Sequence, residues 1–293
     1  MTTGFSCRVC PFDCQVDREV KLGVCRAPNE LMIARTQLHF DEEPFISGTA
    51  KEGSGTVFFS RCNLSCVFCQ NYLISQEGMG KAFSIADFVG RCKDMASEGA
   101  LNINLVSPTP YSHLLVPALT ALKKKIRIPV VWNSNGYETV GTIRSLEGLV
   151  DVYLPDMKYF SDVLAKRYSL APGYFAIATK AIEEMRRQQP DNSFDPSGIL
   201  QKGVAVRHLM LPGCPADSLE VLKWIDENLG NHTQISLMAQ YFPTWRASEH
   251  PEIDRHLTAE EYQAGVDFLN EHGFDNALVQ DLTSADSRYT PEF

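Results

Sequence analysis

The chain has 293 residues, 44% of them hydrophobic and 22% charged, with a net charge of −9. That length suits one large α/β domain with an appendage, and the acidic balance argues against general nucleic-acid binding, which rests on neutralising phosphates. No apolar run approaches the ~18 residues of a membrane span, and Met1-Thr2-Thr3-Gly4-Phe5 is not a basic stretch leading into an apolar one, so no membrane anchor or secretory signal is expected.

Residues 1 to about 50 show no clear alternation of strands and helices. They carry Cys7, Cys10, Cys14 and Cys25 in the pattern C-x2-C-x3-C-x10-C. Four thiolates in nineteen residues suit a closed all-cysteine site holding zinc or a second 4Fe–4S cluster; unligated thiols are the alternative. Nine cysteines in a chain with no expected secretory signal read as metal ligation in a reducing, cytoplasmic setting rather than as disulfides. His39-Phe40-Asp41-Glu42-Glu43-Pro44 reads as a solvated turn, with a metal site as the alternative.

After Gly53-Ser54-Gly55 a regular alternation begins. Strands are predicted over 55–60, 103–107, 129–135, 150–158, 203–211, 233–240 and 276–282, with helices between them. Ser84 caps a helix over 85–98, with Asp87 three residues on, Gly99 at its end and an apolar stripe through Ile85, Phe88, Val89, Cys92, Met95 and Ala96. Asp217 and Glu220 open a helix that stops at Gly230, and Thr258 with Glu261 forms a capping box before a helix ending near Gly273. Alternation of this length predicts an α/β fold. Its parallel β/α units would form a partial (βα)6-type barrel over residues 51–293, preceded by a small cysteine-rich metal-binding segment over 1–50.

The densest chemistry lies just after the first predicted barrel strand. Arg61-Cys62-Asn63-Leu64-Ser65-Cys66-Val67-Phe68-Cys69-Gln70 places three cysteines as C-x3-C-x2-C. Three thiolates can hold three irons of a 4Fe–4S cluster and leave the fourth iron open to a ligand. A structural zinc site would want a fourth ligand, and neither a histidine nor another cysteine follows closely. The loop leaves the C-terminal end of a strand, the end that carries chemistry in α/β folds. Cys92 reads as core packing. Cys214, just past a strand end, is a candidate for contact with substrate or for hydrogen-atom donation, with a plain turn residue as the alternative.

This cysteine spacing resembles the signature of the radical S-adenosylmethionine superfamily, over about residues 55 to 240. The N-terminal cysteines, the His39-to-Thr49 segment and Gly53-to-Gly78, with its Cys69-Gln70-Asn71 ending, are similar to the subgroup of the pyruvate formate-lyase activating enzyme. The resemblance implies an iron–sulfur oxidoreductase whose open iron binds S-adenosylmethionine and whose reduced cluster cleaves it to a 5′-deoxyadenosyl radical. It implies adenine contact by Phe68, and amino-group contact by Ser107 or Thr109 in the Val106-Ser107-Pro108-Thr109-Pro110 stretch. Asn133-Ser134-Asn135-Gly136 resembles the subgroup's Asp-Thr-Asn-Gly, with an amide replacing the first acid of a cation site. Asp156 and Lys158 resemble its Asp-Leu-Lys strand end, and Arg207 its carboxylate-pairing arginine.

The partners implied are an electron donor such as flavodoxin or ferredoxin and a glycyl-radical enzyme as substrate. The alternatives are a radical enzyme acting on a small metabolite or peptide, and a non-catalytic iron–sulfur or zinc protein serving as electron carrier or assembly module.

Overall fold

The computed structural model describes residues 6–48, 52–286 and 293. Residues 49–51, which include Thr49 and the expected boundary between the two segments, lie outside the described residues, as does Met1–Phe5.

In chain order the elements are β1 (Leu31–His39), α1 (Pro44–Ser47), β2 (Ser54–Phe59), α2 (Tyr72–Ser75), β3 (Lys81–Phe83), α3 (Ile85–Ser97), β4 (Ile103–Val106) and α4 (Ser112–Leu122). They continue with β5 (Val130–Ser134), α5 (Val140–Arg144), β6 (Val152–Pro155), α6 (Asp162–Ser169), α7 (Tyr174–Gln188), β7 (Ser193–Phe194), β8 (Leu200–Leu209), α8 (Pro215–Leu229), β9 (Gln234–Met238), α9 (Ala259–Glu271) and β10 (Ala277–Val279). The sheet runs β10-β9-β8-β6-β5-β4-β2-β1-β3, with β7 paired to β8. From β2 to β10 the neighbours along this path are parallel and joined by helices, which is the expected α/β partial barrel.

The parallel strands read as apolar runs because both of their faces are covered. Every residue of β2 and β5 is buried. The outer core joins sheet to helices through residues such as Trp132, Phe88 and Leu119. In α3 Phe88, Val89, Cys92 and Met95 of the predicted stripe are buried, Ala96 is partly buried and Ile85 is exposed, and Ser84 with Asp87 closes the capping box. Thr258 and Glu261 do the same for α9, and α8 ends at Gly230.

The stretch before residue 50 departs from expectation. Leu31–His39 is a strand, antiparallel to β2 on one side and to β3 on the other. Its sequence, Leu-Met-Ile-Ala-Arg-Thr-Gln-Leu-His, does not alternate cleanly, and its burial pattern is equally irregular. Pairing on both edges, rather than one apolar face, holds it in the sheet.

The chain then turns back into the barrel. Phe45 and Ile46 of α1 pack with Val131, Val152, Leu154, Leu200 and Ala205 in a small core separate from the outer one. Burying two such side chains contributes roughly 1.5–3 kcal/mol each. Among the described residues no helix is long and apolar enough to cross a membrane.

Candidate functional site

The loop after β2 departs from regular geometry at once. Arg61 has a φ of 68°, a left-handed conformation unusual for a side-chain-bearing residue. Its amide donates to the Ile74 carbonyl, and farther on Ser65 and Val67 donate to the Ser169 and Tyr168 carbonyls at the end of α6. The Arg246 amide, from the loop after β9, donates to Val67. So held, the loop brings Cys62, Cys66 and Cys69 to one cavity of about 390 Å³ within the barrel.

Each of these sulfurs has a polar neighbour. Cys62 Sγ accepts from the Leu64 amide at 3.4 Å and Asn135 Nδ2 at 3.2 Å; Cys66 Sγ lies 2.9 Å from Ser169 Oγ, and Cys69 Sγ 3.2 Å from Ser75 Oγ. Burial, reinforced by Cys66, pushes the Cys62 thiol up to about 12 and Cys69 to about 11. Burial raises Cys66 as well, although Lys158 opposes it. Three thiols crowded in this way do not ionise together unaided; a cationic partner must offset their charge. An all-thiolate donor set with polar hydrogens aimed at its sulfurs fits the iron–sulfur group expected here.

The strand ends gather most of the other expected residues at this cavity. Phe68, Ser107, Asn133, Ser134, Asn135, Asp156, Lys158 and Arg207 all line it. Ser107 has a φ of 57° where the resemblance has glycine, so it carries backbone strain at the cavity wall. Phe68 packs edge-on against Tyr241, with centroids 5.6 Å apart. Gly136 has a φ of 73°, and a Cβ there would lie 2.4 Å from the Asp156 carbonyl oxygen, so Asn-Gly at this point answers a real packing need.

Two expected residues fall elsewhere. Thr109 is not in the lining; its hydroxyl donates to Glu138 at 2.8 Å. Cys214 is also outside the lining, half-buried at the N-terminus of α8. Asn135 and Ser134 are partly committed to protein contacts. Asn135 Nδ2 bonds Asn63 and the Cys62 sulfur, and Ser134 Oγ donates to Glu138 at 2.6 Å. Glu138, a residue no sequence signal singled out, is fully enclosed and also accepts from Trp132 Nε1 at 2.8 Å. Burial raises its carboxyl against these three donors. It thereby fastens the loop after β4 to the loop after β5.

The His39–Pro44 segment, expected to be a solvated turn, lies in the cavity wall. His39 and Glu43 are buried, and Asp41, Glu42 and Glu43 line the cavity with Arg207. The chain re-enters the barrel here because α1 must bury Phe45 and Ile46. Arg207 is ringed by acceptors: Nε donates to Asp156 Oδ1 at 2.9 Å, Nη2 to Asn133 Oδ1 at 2.7 Å and Nη1 to Glu42 Oε2 at 3.3 Å. Glu43 Oε2 stands 3.7 Å from Nη1 and has no hydrogen-bond partner. Lys158 Nζ donates to Asp156 Oδ2 at 2.7 Å, so the expected pair does share a strand face. Burial works against an Asp156 carboxylate, but Arg207 and Lys158 outweigh it and hold the carboxyl below its ordinary range. Burial drives Glu43 the other way, up to about 7, although Arg207 opposes it.

Comparison with known proteins bears on this arrangement. The Radical SAM superfamily model matches residues 56–225. An uncharacterized protein of Methanocaldococcus jannaschii, MJ0674, is 32% identical over 279 residues, covering 92% of this chain and 76% of that protein. Among solved structures, SuiB of Streptococcus suis bound to its precursor peptide SuiA is similar with a TM-score of 0.51 and 13% identity, over 77% of this chain and 48% of that one. The FeFe-hydrogenase maturase HydG of Carboxydothermus hydrogenoformans has a TM-score of 0.53 and 12% identity, over 79% and 59%. At these identities the likeness is one of fold, and the chain spans about half the length of SuiB.

Proposed function

The chain belongs to the radical SAM superfamily, and from that premise we propose that it acts as a hydrogen-abstracting enzyme on a glycine of a partner protein, in the manner of glycyl-radical activating enzymes. The observation that carries the radical reading is the convergence of Cys62, Cys66 and Cys69 with the strand-end residues Ser107, Asn133, Asp156 and Arg207 on one cavity. When bound, a 4Fe–4S cluster and S-adenosylmethionine would supply an electron and a 5′-deoxyadenosyl radical.

The chain's own residues hold and shield. Cys62, Cys66 and Cys69 ligate the cluster, and Phe68 packs on the adenine. Ser107 offers a hydroxyl and a carbonyl to the amino group, in place of the displaced Thr109. Lys158 and Arg207 present positive charge to the carboxylate, with Asp156 and Asn133 orienting Arg207. Support for the glycine target is the resemblance of Cys69-Gln70-Asn71, Asn133–Gly136 and the Arg207-to-Gly213 strand end to activating enzymes. A second reading, a small amine-bearing metabolite, is favoured by the Glu43 oxygen beside Glu42, which takes no hydrogen bond among the described residues.

The test is anaerobic. The full chain is reconstituted with iron and sulfide, reduced, given S-adenosylmethionine, and compared with the Cys62→Ala, Cys66→Ala, Cys69→Ala variant. 5′-Deoxyadenosine is expected only from the intact cysteines. A loaded, reduced cluster whose magnetic-resonance spectrum ignores S-adenosylmethionine and which releases no nucleoside overturns the proposal. Deuterium carried into 5′-deoxyadenosine from an α-deuterated glycine of a candidate partner supports the first target; deuterium from an amine-bearing metabolite supports the second.

A further inference from the structure

Cys7, Cys10, Cys14 and Cys25 line no part of the cavity, and residues 6–30 contain no helix or strand. The segment's own apolar cluster is Cys7, Val9 and Cys10, with Phe12 and Val16 against it. So small a core cannot hold a segment in place by itself. Yet Cys7, Cys10 and Cys25 are only 2%, 4% and 9% exposed.

Arg18 Nη2 stands 3.0 Å from Cys7 Sγ and the Val24 amide 3.4 Å from Cys14 Sγ. An arginine N–H and a backbone N–H on these sulfurs suit thiolates better than neutral thiols, which are weak acceptors. Arg18 is itself 3% exposed, which places a buried cation beside the four. Gly23 leaves room for Cys14, whose sulfur lies 3.0 Å from where a Cβ would stand.

We propose that Cys7, Cys10, Cys14 and Cys25 hold one thiolate-ligated centre, a zinc ion or a second iron–sulfur cluster, and that its presence fixes the loops of the S-adenosylmethionine cavity. Four thiolates from one short segment suit either occupant, and metal analysis tells the two apart.

The links to the cavity are direct. Arg18, which touches Cys7, also donates through Nη1 to the carbonyl of Pro110, in the loop that begins at Ser107. Thr142 Oγ1 donates to the Val9 carbonyl at 2.7 Å. Phe12 packs edge-on against Tyr137 at 5.6 Å, and the Tyr137 carbonyl accepts from Asn63 of the cluster loop at 2.7 Å. Arg26, next to Cys25, donates to the Gln76 carbonyl at 3.1 Å, and Gln76 Nε2 donates to Leu64 in turn at 2.9 Å. The loops after β2, β4 and β5 thus all lean on the four-cysteine segment.

The coupling half of the proposal rests on the function proposed above; the metal half does not. Iron, sulfide and zinc are therefore counted first, in the full chain reconstituted anaerobically with zinc also supplied. About eight irons per intact chain identify a second cluster, and about four irons with about one zinc identify a zinc site; either supports the second centre. An intact chain with about four irons and no zinc overturns it, and this count decides the matter without any variant. S-Adenosylmethionine binding is then measured by equilibrium dialysis on Cys10→Ser/Cys25→Ser and on the milder Arg18→Gln, each shown by iron count to retain the first cluster. About tenfold weaker binding in the double variant, and a smaller loss in Arg18→Gln, is expected. Unchanged binding in both overturns the coupling. Intact chain that binds no S-adenosylmethionine overturns the coupling together with the proposed function, while the metal count still decides the second centre.

Discussion

At the C-terminal end of the parallel strands, three thiols from the loop after β2 meet hydroxyls and amides from the ends of β4 and β5. From the opposite end one loop, residues 40–44, folds back into the barrel and reaches the strand-end Arg207 with its carboxylates, while α1 seals the interior behind it with Phe45 and Ile46. The first end is assembled from many short contributions and the second from a single excursion. The difference shows where tolerance lies. A fault in one strand-end loop leaves its neighbours anchored through Glu138 and Asn63, whereas a fault in the returning loop exposes a buried ionic network all at once.

That contrast can be tested by its largest consequence first. Arg207→Met leaves Glu42 and Glu43 in the barrel without their cation and Asp156 with Lys158 alone, and a broken buried network of this kind costs about 3–5 kcal/mol. Denaturant unfolding should show that loss. A loss below about 1 kcal/mol would mean that the carboxylates reach water and that the closed end is not closed. Gly136→Ala, in the loop after β5, should cost about 2 kcal/mol, because it adds a positive-φ penalty to a contact with the Asp156 carbonyl. It should also weaken cofactor binding through Asn135 without altering α1; hydrogen exchange can separate the two ends.

The smallest expected effect is on pH dependence. Glu43 in the folded chain lies at about 7, above the ordinary 4.5. Its contribution to stability is therefore complete below about pH 4.5 and lost as the pH rises through about 7. Between pH 5 and 8 the intact chain should lose on the order of 1–2 kcal/mol that Glu43→Gln does not. Asp156 has the opposite sign: its depressed carboxyl contributes above its unfolded value and is lost only in acid. Parallel pH slopes for intact chain and Glu43→Gln would remove the buried-acid account of the closed end.

How legible each end was in the sequence follows the same division. Strand-end residues such as Ser107, Asn133, Asp156 and Arg207 reach one cavity because parallel β/α alternation fixes which end of each strand they occupy. Capping at Ser84 and Thr258 was readable because it is local. The closed end was not, because β1 carries no clean period and its place depends on partners at both edges. Without β1, the acids of residues 41–43 look like a hydrophilic turn, and only the burial demanded by Phe45 and Ile46 draws them inward. Thr109 and Cys214 lie outside the cavity lining for a related reason. Sequence position locates a loop near the mouth but not the rotamer or partner of each side chain, and Thr109 is claimed by Glu138.

From β4 to β10 the spatial order of the strands follows their order in the chain, interrupted only by the short β7 on the outer path. Each strand emerging during synthesis therefore finds its neighbour already laid down at the sheet's growing edge, and assembly can proceed from the N-terminus without waiting for the far end. The cysteine loop and its support from β1 to β5 are complete well before the loop after β9 arrives to place Arg246 against Val67. For that interval the cysteine loop stands without the hydrogen bond that the Arg246 amide later donates to Val67.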